Sequence, residues 1–159
     1  MESDGQTVAL AECGGLTLSA PFSSVDDIVE QARCGNVFIL SNDDDPEGHG
    51  SFVLPAAKVS AQSIAFMARF GRGLICTALT EQRVQELALP IISQSSSDRA
   101  HRFAISIEAR DGVTTGISAA DRARTIQVAM DPKFGSRDLV SPGHVIPLVA
   151  RDGGVLARA

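Results

Sequence analysis

The chain has 159 residues, with 14 Lys and Arg against 19 Asp and Glu, so its net charge is −5. With 44% apolar and 21% charged residues it can bury a core without disulfides or a structural metal, which excludes wholesale disorder. The acidic balance and the absence of Trp and Tyr argue against a nucleic-acid partner, because phosphate contacts need basic side chains and base stacking needs aromatic ones.

The first part of the chain is small, polar or weakly apolar, and we predict a loosely ordered N-terminal arm over 1–22 before a single domain over 23–159. No Lys or Arg precedes Arg33, so a secretory signal is not expected. No apolar run approaches the ~20 residues that span a bilayer. The cysteines are few and widely spaced, which is typical of reduced thiols. These features predict a soluble cytoplasmic protein without a membrane partner.

Helices are predicted where hydroxyl side chains precede stretches of helical apolar spacing. Ser23 or Ser24 is placed to cap the first helix, and Gly35 is placed to end it. Ser118 and Asp121 have the spacing of a capping box at the start of the last helix. The predicted helices cover about 25–34, 61–70, 81–87 and 119–130.

Apolar runs between these helices predict the strands. The apolar stretch over 36–40 favours a buried strand, and 103–107 alternate as in a half-buried strand. Ser-Pro-Gly-His over 141–144 predicts a turn before a strand over 145–150. Two more strands are predicted, over 51–54 and 74–79. The alternation of helices and strands predicts an α/β or α+β fold with a mixed sheet flanked by helices.

The most polar stretch of the chain, over 42–49, joins two predicted strands and is predicted to be a loop. Its carboxylates and its imidazole could hold Mg²⁺ or Mn²⁺, because these cations prefer oxygen ligands. The alternative is a solvated acidic turn that binds nothing. The side chains concerned are Asp43, Asp44, Asp45, Glu47 and His49.

Two further segments suit the chemistry of an active site. Thr114 and Thr115 precede a capped helix, where hydroxyls and backbone N–H groups suit a phosphate or carboxylate of a substrate. The alternative is an ordinary loop with a good cap. His144 follows Pro-Gly at a predicted strand start, where its imidazole could transfer protons near neutral pH. The alternative is a structural histidine.

Three long segments together resemble the 3,4-dihydroxy-2-butanone 4-phosphate synthase family of riboflavin biosynthesis. They read FMARFGRGLICTALTEQRVQELALP over 66–90, DGVTTGISAADRARTI over 111–126 and PGHVIPLVARDGGVL over 142–156. The resemblance covers about 25–159 and implies a mixed α/β domain that dimerises. It also implies conversion of ribulose 5-phosphate to 3,4-dihydroxy-2-butanone 4-phosphate and formate with Mg²⁺ or Mn²⁺, since a cation stabilises the enediolate left by proton loss.

The resemblance also implies roles for individual residues. Glu47 matches the Glu of the family that binds metal and substrate, and Ser51 stands where the family has a substrate-binding Asp. His144 matches the His that is essential for catalysis, and Arg158 matches a substrate-binding Arg. Pro46 replaces an Arg of the family, which removes a guanidinium suited to a neighbouring oxyanion.

The same comparison with the family pattern implies weakened chemistry. An acidic residue of the family loop is His49 here, and fewer carboxylates predict weaker binding of a hard cation. In the family, the position of Ala159 is followed by a GHTE segment that contains a second metal ligand, and later by a catalytic Glu. A C-terminally truncated domain is therefore expected. The hypotheses are a synthase that forms a homodimer, or an impaired paralogue that acts as a regulator or as the heterodimer partner of an intact synthase. A third is altered chemistry with His49 as a base or ligand.

Overall fold

The structure, a computed structural model, describes residues 23–41, 50–92 and 102–150, so the predicted arm over 1–22 lies outside the described residues. The helices are α1 (Val25–Cys34), α2 (Ala61–Gly71), α3 (Glu81–Glu86) and α4 (Ala119–Met130). The strands are β1 (Phe38–Ser41), β2 (Gly50–Val53), β3 (Cys76–Leu79), β4 (Ile107–Ala109) and β5 (Leu139–Val149). None of the helices in these ranges is long and apolar enough to cross a membrane.

Each helix begins where the hydroxyl pattern predicts it. The side-chain oxygens of Ser24, Ser60, Thr80 and Ser118 each accept a hydrogen bond from a backbone N–H in the first turn. Such a bond satisfies one of the donors that the start of a helix leaves without a partner. Gly35 follows α1 in the left-handed conformation, with a φ of 81°. The four predicted helices are therefore confirmed.

Three strands form a mixed sheet in the order β3-β5-β4, in which β5 is parallel to β3 and antiparallel to β4. Helix α4 packs on β4 and β5, and α2 packs on α4. The predicted α/β class with a mixed sheet is confirmed. Burial of apolar side chains between these layers is the main source of stabilisation. The largest buried apolar side chains are Ile64, Leu87, Ile107, Val128 and Val145.

Strands β1 and β2 form a separate antiparallel pair. The prediction of a buried strand over 36–40 is wrong, because Ile39 is 60% exposed and Leu40 is 36% exposed. Among the strands that the structure describes, β1 pairs with β2 alone, so its apolar side chains do not enter the core of the mixed sheet. A continuous apolar run reports hydrophobicity, and burial depends on what packs above it.

Two strand boundaries also differ from the prediction. The half-buried strand predicted over 103–107 is reduced to isolated bridges at Phe103 and Ala104, and β4 begins at Ile107. The turn predicted over 141–144 is wrong, because these residues lie within β5. Proline and glycine signal a break in regular pairing, and here the break is an irregularity inside one long strand.

The C-terminal end of α4 is held by the guanidinium of Arg83 on α3. Its Nε donates to the carbonyl oxygen of Ala129 at 2.8 Å, and its Nη2 donates to those of Asp131 and Phe134 at 2.8 and 2.9 Å. The Arg83 side chain is only 12% exposed. The last carbonyls of a helix lack partners within the helix, so these bonds anchor α4 in place.

Candidate active site

His144 lies in a part of β5 that has no opposite residues in β4. Ile107 of β4 pairs with Val145, and the next residue, Glu108, pairs with Val140. The four residues between Val140 and Val145 are therefore extra on the β5 side. Irregular pairing of this kind bends a strand and changes the direction of its side chains.

The ring of His144 is held by the carboxylate of Glu108. Nδ1 of His144 and Oε2 of Glu108 are 2.9 Å apart. The Glu108 side chain is 16% exposed and that of His144 is 42% exposed, so the pair lies at the edge of the core with the ring toward solvent. An ionised carboxylate only accepts hydrogen bonds, so Nδ1 is the donor. A neutral ring in this state keeps its lone pair on Nε2, which is the atom able to act as a general base.

Two glycines make this close approach possible. A Cβ at Gly143 would overlap the backbone of Ile107 and Glu108, so the extra segment of β5 lies directly against β4. The Gly143 N–H also donates to Oγ of Ser106 at 3.2 Å. Gly116, with a φ of 77°, lies against the Glu108 carboxylate, and a Cβ there would overlap the carboxylate. Only glycine provides this space and this backbone conformation without strain.

Asp121, in the first turn of α4, holds the loop that contains Gly116. Its carboxylate accepts from the Gly116 N–H at 3.0 Å, from the Thr114 hydroxyl at 3.0 Å and from the Thr114 N–H at 3.3 Å. Burial raises the pKa of Asp121, but the hydrogen bonds from Thr114, Ser118 and Gly116 outweigh burial and hold the pKa below its ordinary value. Asp121 is therefore an ionised anchor for this loop.

The capping box predicted for Ser118 and Asp121 is only half formed. The Ser118 hydroxyl accepts from the Asp121 N–H at 3.0 Å, as predicted. The Asp121 carboxylate does not return to the backbone of Ser118, because the loop before the helix supplies three donors to it. Aspartate is one methylene shorter than the Glu of a standard box, which favours this local alternative.

The structure shows which donors of Thr114 and Thr115 are already engaged. The N–H and hydroxyl of Thr114 are engaged by Asp121, so they are not free donors for a phosphate. Thr115 is exposed, and its hydroxyl has no hydrogen-bond partner in the described part of the chain. Thr115 directly precedes Gly116, whose backbone lies against the Glu108 carboxylate, and Thr114 comes one residue earlier. Their contact with substrate stays a prediction.

Several predicted site residues are not brought to His144 by the described structure. Glu47, His49 and Arg158 lie outside the described residues. Ser51 lies exposed in β2, and no hydrogen bond between described residues connects it to His144. In the ranges that the structure describes, no group of three or more His, Cys, Asp or Glu could hold a metal ion. The described residues by themselves therefore do not fit a divalent cation.

Glu108 is the residue of this site that sequence reasoning missed. It lies between Ile107 and Ala109, which are both buried, and Glu108 itself is only partly exposed. Carboxylates seldom take such positions without a partner. An acidic residue within an apolar run was therefore the signal, but its partner, 36 residues along the chain, is set by strand register.

Comparison of the sequence with known proteins gives a consistent result. The family model described as 3,4-dihydroxy-2-butanone 4-phosphate synthase matches residues 26–159. The protein of that name from Pseudomonas syringae is 50% identical over 139 residues, which are 87% of this chain and 38% of that protein. The one from Photobacterium phosphoreum is 48% identical over 138 residues, 86% of this chain and 38% of that protein. A third, from Desulfotalea psychrophila, is 42% identical, with 91% of this chain and 70% of that protein covered.

Solved structures with the same name share the fold. A two-domain 3,4-dihydroxy-2-butanone 4-phosphate synthase from A. baumannii superposes with a TM-score of 0.78 at 40% identity, covering 86% of this chain and 40% of that one. A synthase in complex with two magnesium ions gives a TM-score of 0.79 at 33% identity, covering 86% of this chain and 64% of that one. The chain thus spans 38% of the length of the first two curated relatives above.

Proposed function

Because the chain belongs to the 3,4-dihydroxy-2-butanone 4-phosphate synthase family, we propose that it converts ribulose 5-phosphate to 3,4-dihydroxy-2-butanone 4-phosphate and formate in riboflavin biosynthesis. The observation that carries the proposal is the family match over 26–159, which includes both Gly116 and His144. These two residues flank the Glu108 carboxylate, so the matched segments meet at one site.

His144 is the residue that we propose to transfer protons. Removal of the proton next to the ketone leaves negative charge on the sugar oxygens, and the dehydration, skeletal shift and loss of formate that follow each need proton transfers. Nε2 of His144 can accept the first proton because Nδ1 is already bonded to Glu108. The protonated ring can then act as the acid for a later step.

We propose that Glu47 binds Mg²⁺, or Mn²⁺ in its place, and contacts the substrate. A bound divalent cation would stabilise negative charge on the substrate oxygens. The magnesium ions of one solved relative support the choice of metal. Pro46 and Ser51, in place of an Arg and an Asp, support weaker binding than in relatives that keep the acidic loop. Among the described residues, no cluster of His, Cys, Asp or Glu side chains could hold the metal by itself.

The remaining proposals concern substrate contacts and assembly. Ser51, Thr114, Thr115 and Arg158 would bind the sugar phosphate. The exposed Thr115 hydroxyl, which has no hydrogen-bond partner among the described residues, supports this role for Thr115. We propose a domain over 23–159 after an arm over 1–22, in a cytoplasmic protein that pairs with a second copy of itself or with an intact synthase. The comparisons do not favour an impaired paralogue over a catalytic role.

Formate release from ribulose 5-phosphate with Mg²⁺ tests the proposal. The assay uses this chain and any longer protein of which it is part, each checked for folding by circular dichroism. We expect turnover that His144→Asn abolishes and that the control His101→Asn retains. A folded protein that releases no formate in either form would contradict the proposed function. Activity that rises with Mg²⁺ only at unusually high concentration would support the weakened metal site.

A further inference from the structure

The resemblance to the family implies no role for Glu108, yet its carboxylate lies within hydrogen-bond distance of the His144 ring. Oε2 lies 2.9 Å from Nδ1, and the side chain is 16% exposed. In the described part of the chain, His144 is its only hydrogen-bond partner. A partly buried carboxylate with one partner, an imidazole, orients that imidazole.

The position of this carboxylate is itself fixed from two sides. Glu108 belongs to β4, which pairs with β5 immediately before the extra segment that contains His144. On the other side, Gly116 lies against the carboxylate, and Asp121 holds the Gly116 N–H at 3.0 Å. A continuous series of contacts therefore connects the His144 ring on β5, the Glu108 carboxylate on β4, and the Gly116 loop that Asp121 holds at the start of α4.

We propose that Glu108 is a positioning residue for His144. By accepting a hydrogen bond from Nδ1–H, its carboxylate selects the tautomer whose lone pair is on Nε2 and fixes the plane of the ring. It also stabilises the imidazolium formed when Nε2 takes a proton. An amide at this position could also donate a hydrogen bond, which would stabilise the opposite tautomer with its lone pair on Nδ1. The inference rests on the proposed function of His144 as the proton-transfer residue.

The tautomer of His144 can be measured without catalysis. Long-range ¹H–¹⁵N spectra of the full chain with labelled histidine, recorded at alkaline pH where imidazole is neutral, report which ring nitrogen carries the proton. His144→Asn identifies the signal among the three histidines. We expect the Nδ1–H tautomer in the parent chain and a shift toward Nε2–H in Glu108→Gln. The matched control Glu81→Gln removes an exposed carboxylate that pairs with Arg102, and should change nothing.

Kinetics provides the second measurement. If Glu108 acts through His144, Glu108→Gln should lower kcat by about 100-fold or more, as expected for loss of general acid–base catalysis, and leave KM within about threefold. Should Glu108→Gln fail to fold, Gly116→Ala displaces the same carboxylate while Glu108 remains in the sequence.

The two proposals fail in different ways. A parent chain that shows the Nε2–H tautomer, or a tautomer that Glu108→Gln does not change, overturns the positioning role whatever the activity. A tautomer that shifts as expected in a protein that releases no formate supports the positioning role and contradicts the proposed function.

Discussion

The contact between Gly116 and the Glu108 carboxylate leads to a prediction that separates stability from function. In Gly116→Ala, the new Cβ would overlap the carboxylate, which is the end of a flexible side chain and can rotate away. The cost to the fold is then mainly that of an alanine at a φ of 77°, about 1–2 kcal/mol. Loss of the bond to His144 adds about 0.5–1.5 kcal/mol at most, because the ring is 42% exposed.

Gly112 provides a matched control for the backbone term. Its φ is 81°, and a Cβ there would lie 3.2 Å from Nε of Arg124, which is also the end of a flexible side chain. Gly112→Ala therefore carries the same conformational cost without touching Glu108. For a domain of this size, 1 kcal/mol corresponds to about 2–4 °C in Tm. We expect both variants to lose roughly 2–8 °C, with Gly116→Ala the lower by a few degrees at most.

The assay combines thermal unfolding with the His144 tautomer and formate release. Gly116→Ala should shift the tautomer and lose activity, whereas Gly112→Ala should keep both. Two outcomes would refute the reasoning. If Gly116→Ala keeps the tautomer of the parent chain, the carboxylate does not lie against Gly116. If Gly116→Ala unfolds while Gly112→Ala does not, the carboxylate cannot move aside and the stability estimate is wrong.

Three further variants test the scaffold around this site. Arg83→Met leaves the carbonyl oxygens of Ala129 and Phe134 without their Arg83 donor, whereas that of Asp131 keeps the Phe134 N–H. At about 1–3 kcal/mol for each carbonyl and not additively, Tm should fall by about 4–12 °C. Arg69→Met on an exposed side chain should have little effect, and equal Tm values would contradict the anchor. Gly143→Ala places a Cβ against the backbone of Ile107 and Glu108, which cannot rotate away as a side chain can. Its loss of Tm should therefore exceed that of Gly116→Ala, and a smaller loss would disprove the close packing of β5 on β4. Burial raises the pKa of Asp121, but its hydrogen bonds outweigh burial and hold the pKa below the ordinary value of 3.8. The ionised carboxylate therefore stabilises the fold above pH 3.8, and this contribution disappears as the pH falls through the lowered pKa. The Tm difference between the parent chain and Asp121→Asn should therefore be largest at neutral pH and shrink in acid, with Asp111→Asn, an exposed control, showing no such trend.

The helices could be predicted from the sequence because their signals are local. Ser24, Ser60, Thr80 and Ser118 each accept from an N–H within their own first turn, so the cap and its partner lie within three residues. Gly35 likewise ends α1 through its own backbone conformation. None of these interactions depends on the rest of the fold.

Burial and strand limits could not be predicted in this way, because they depend on what packs against a segment. The apolar run predicts Ile39 and Leu40 to be core residues, yet they are exposed, because within the described ranges β1 pairs only with β2. Asp121 read as the second half of a capping box, yet its carboxylate is taken by Thr114 and Gly116, which the loop brings to it. In each case the residue type indicates the correct chemistry, but the groups that pack against the residue depend on the tertiary fold and not on the local sequence.

The same distinction explains why His144 could be proposed from the sequence while Glu108 could not. A histidine after Pro-Gly is visible as a pattern, and its possible chemistry follows from its side chain alone. Its partner depends on a register in which Glu108 faces Val140 while Ile107 faces Val145, so that the intervening residues fold back over β4. A shift of one residue in this pairing would turn Glu108 to the opposite face of the sheet and remove the bond. The glycine at 143 is what permits this register, since any side chain there would overlap β4. The specificity of the site therefore resides in strand pairing and in two glycines, and the histidine alone would leave its tautomer undetermined.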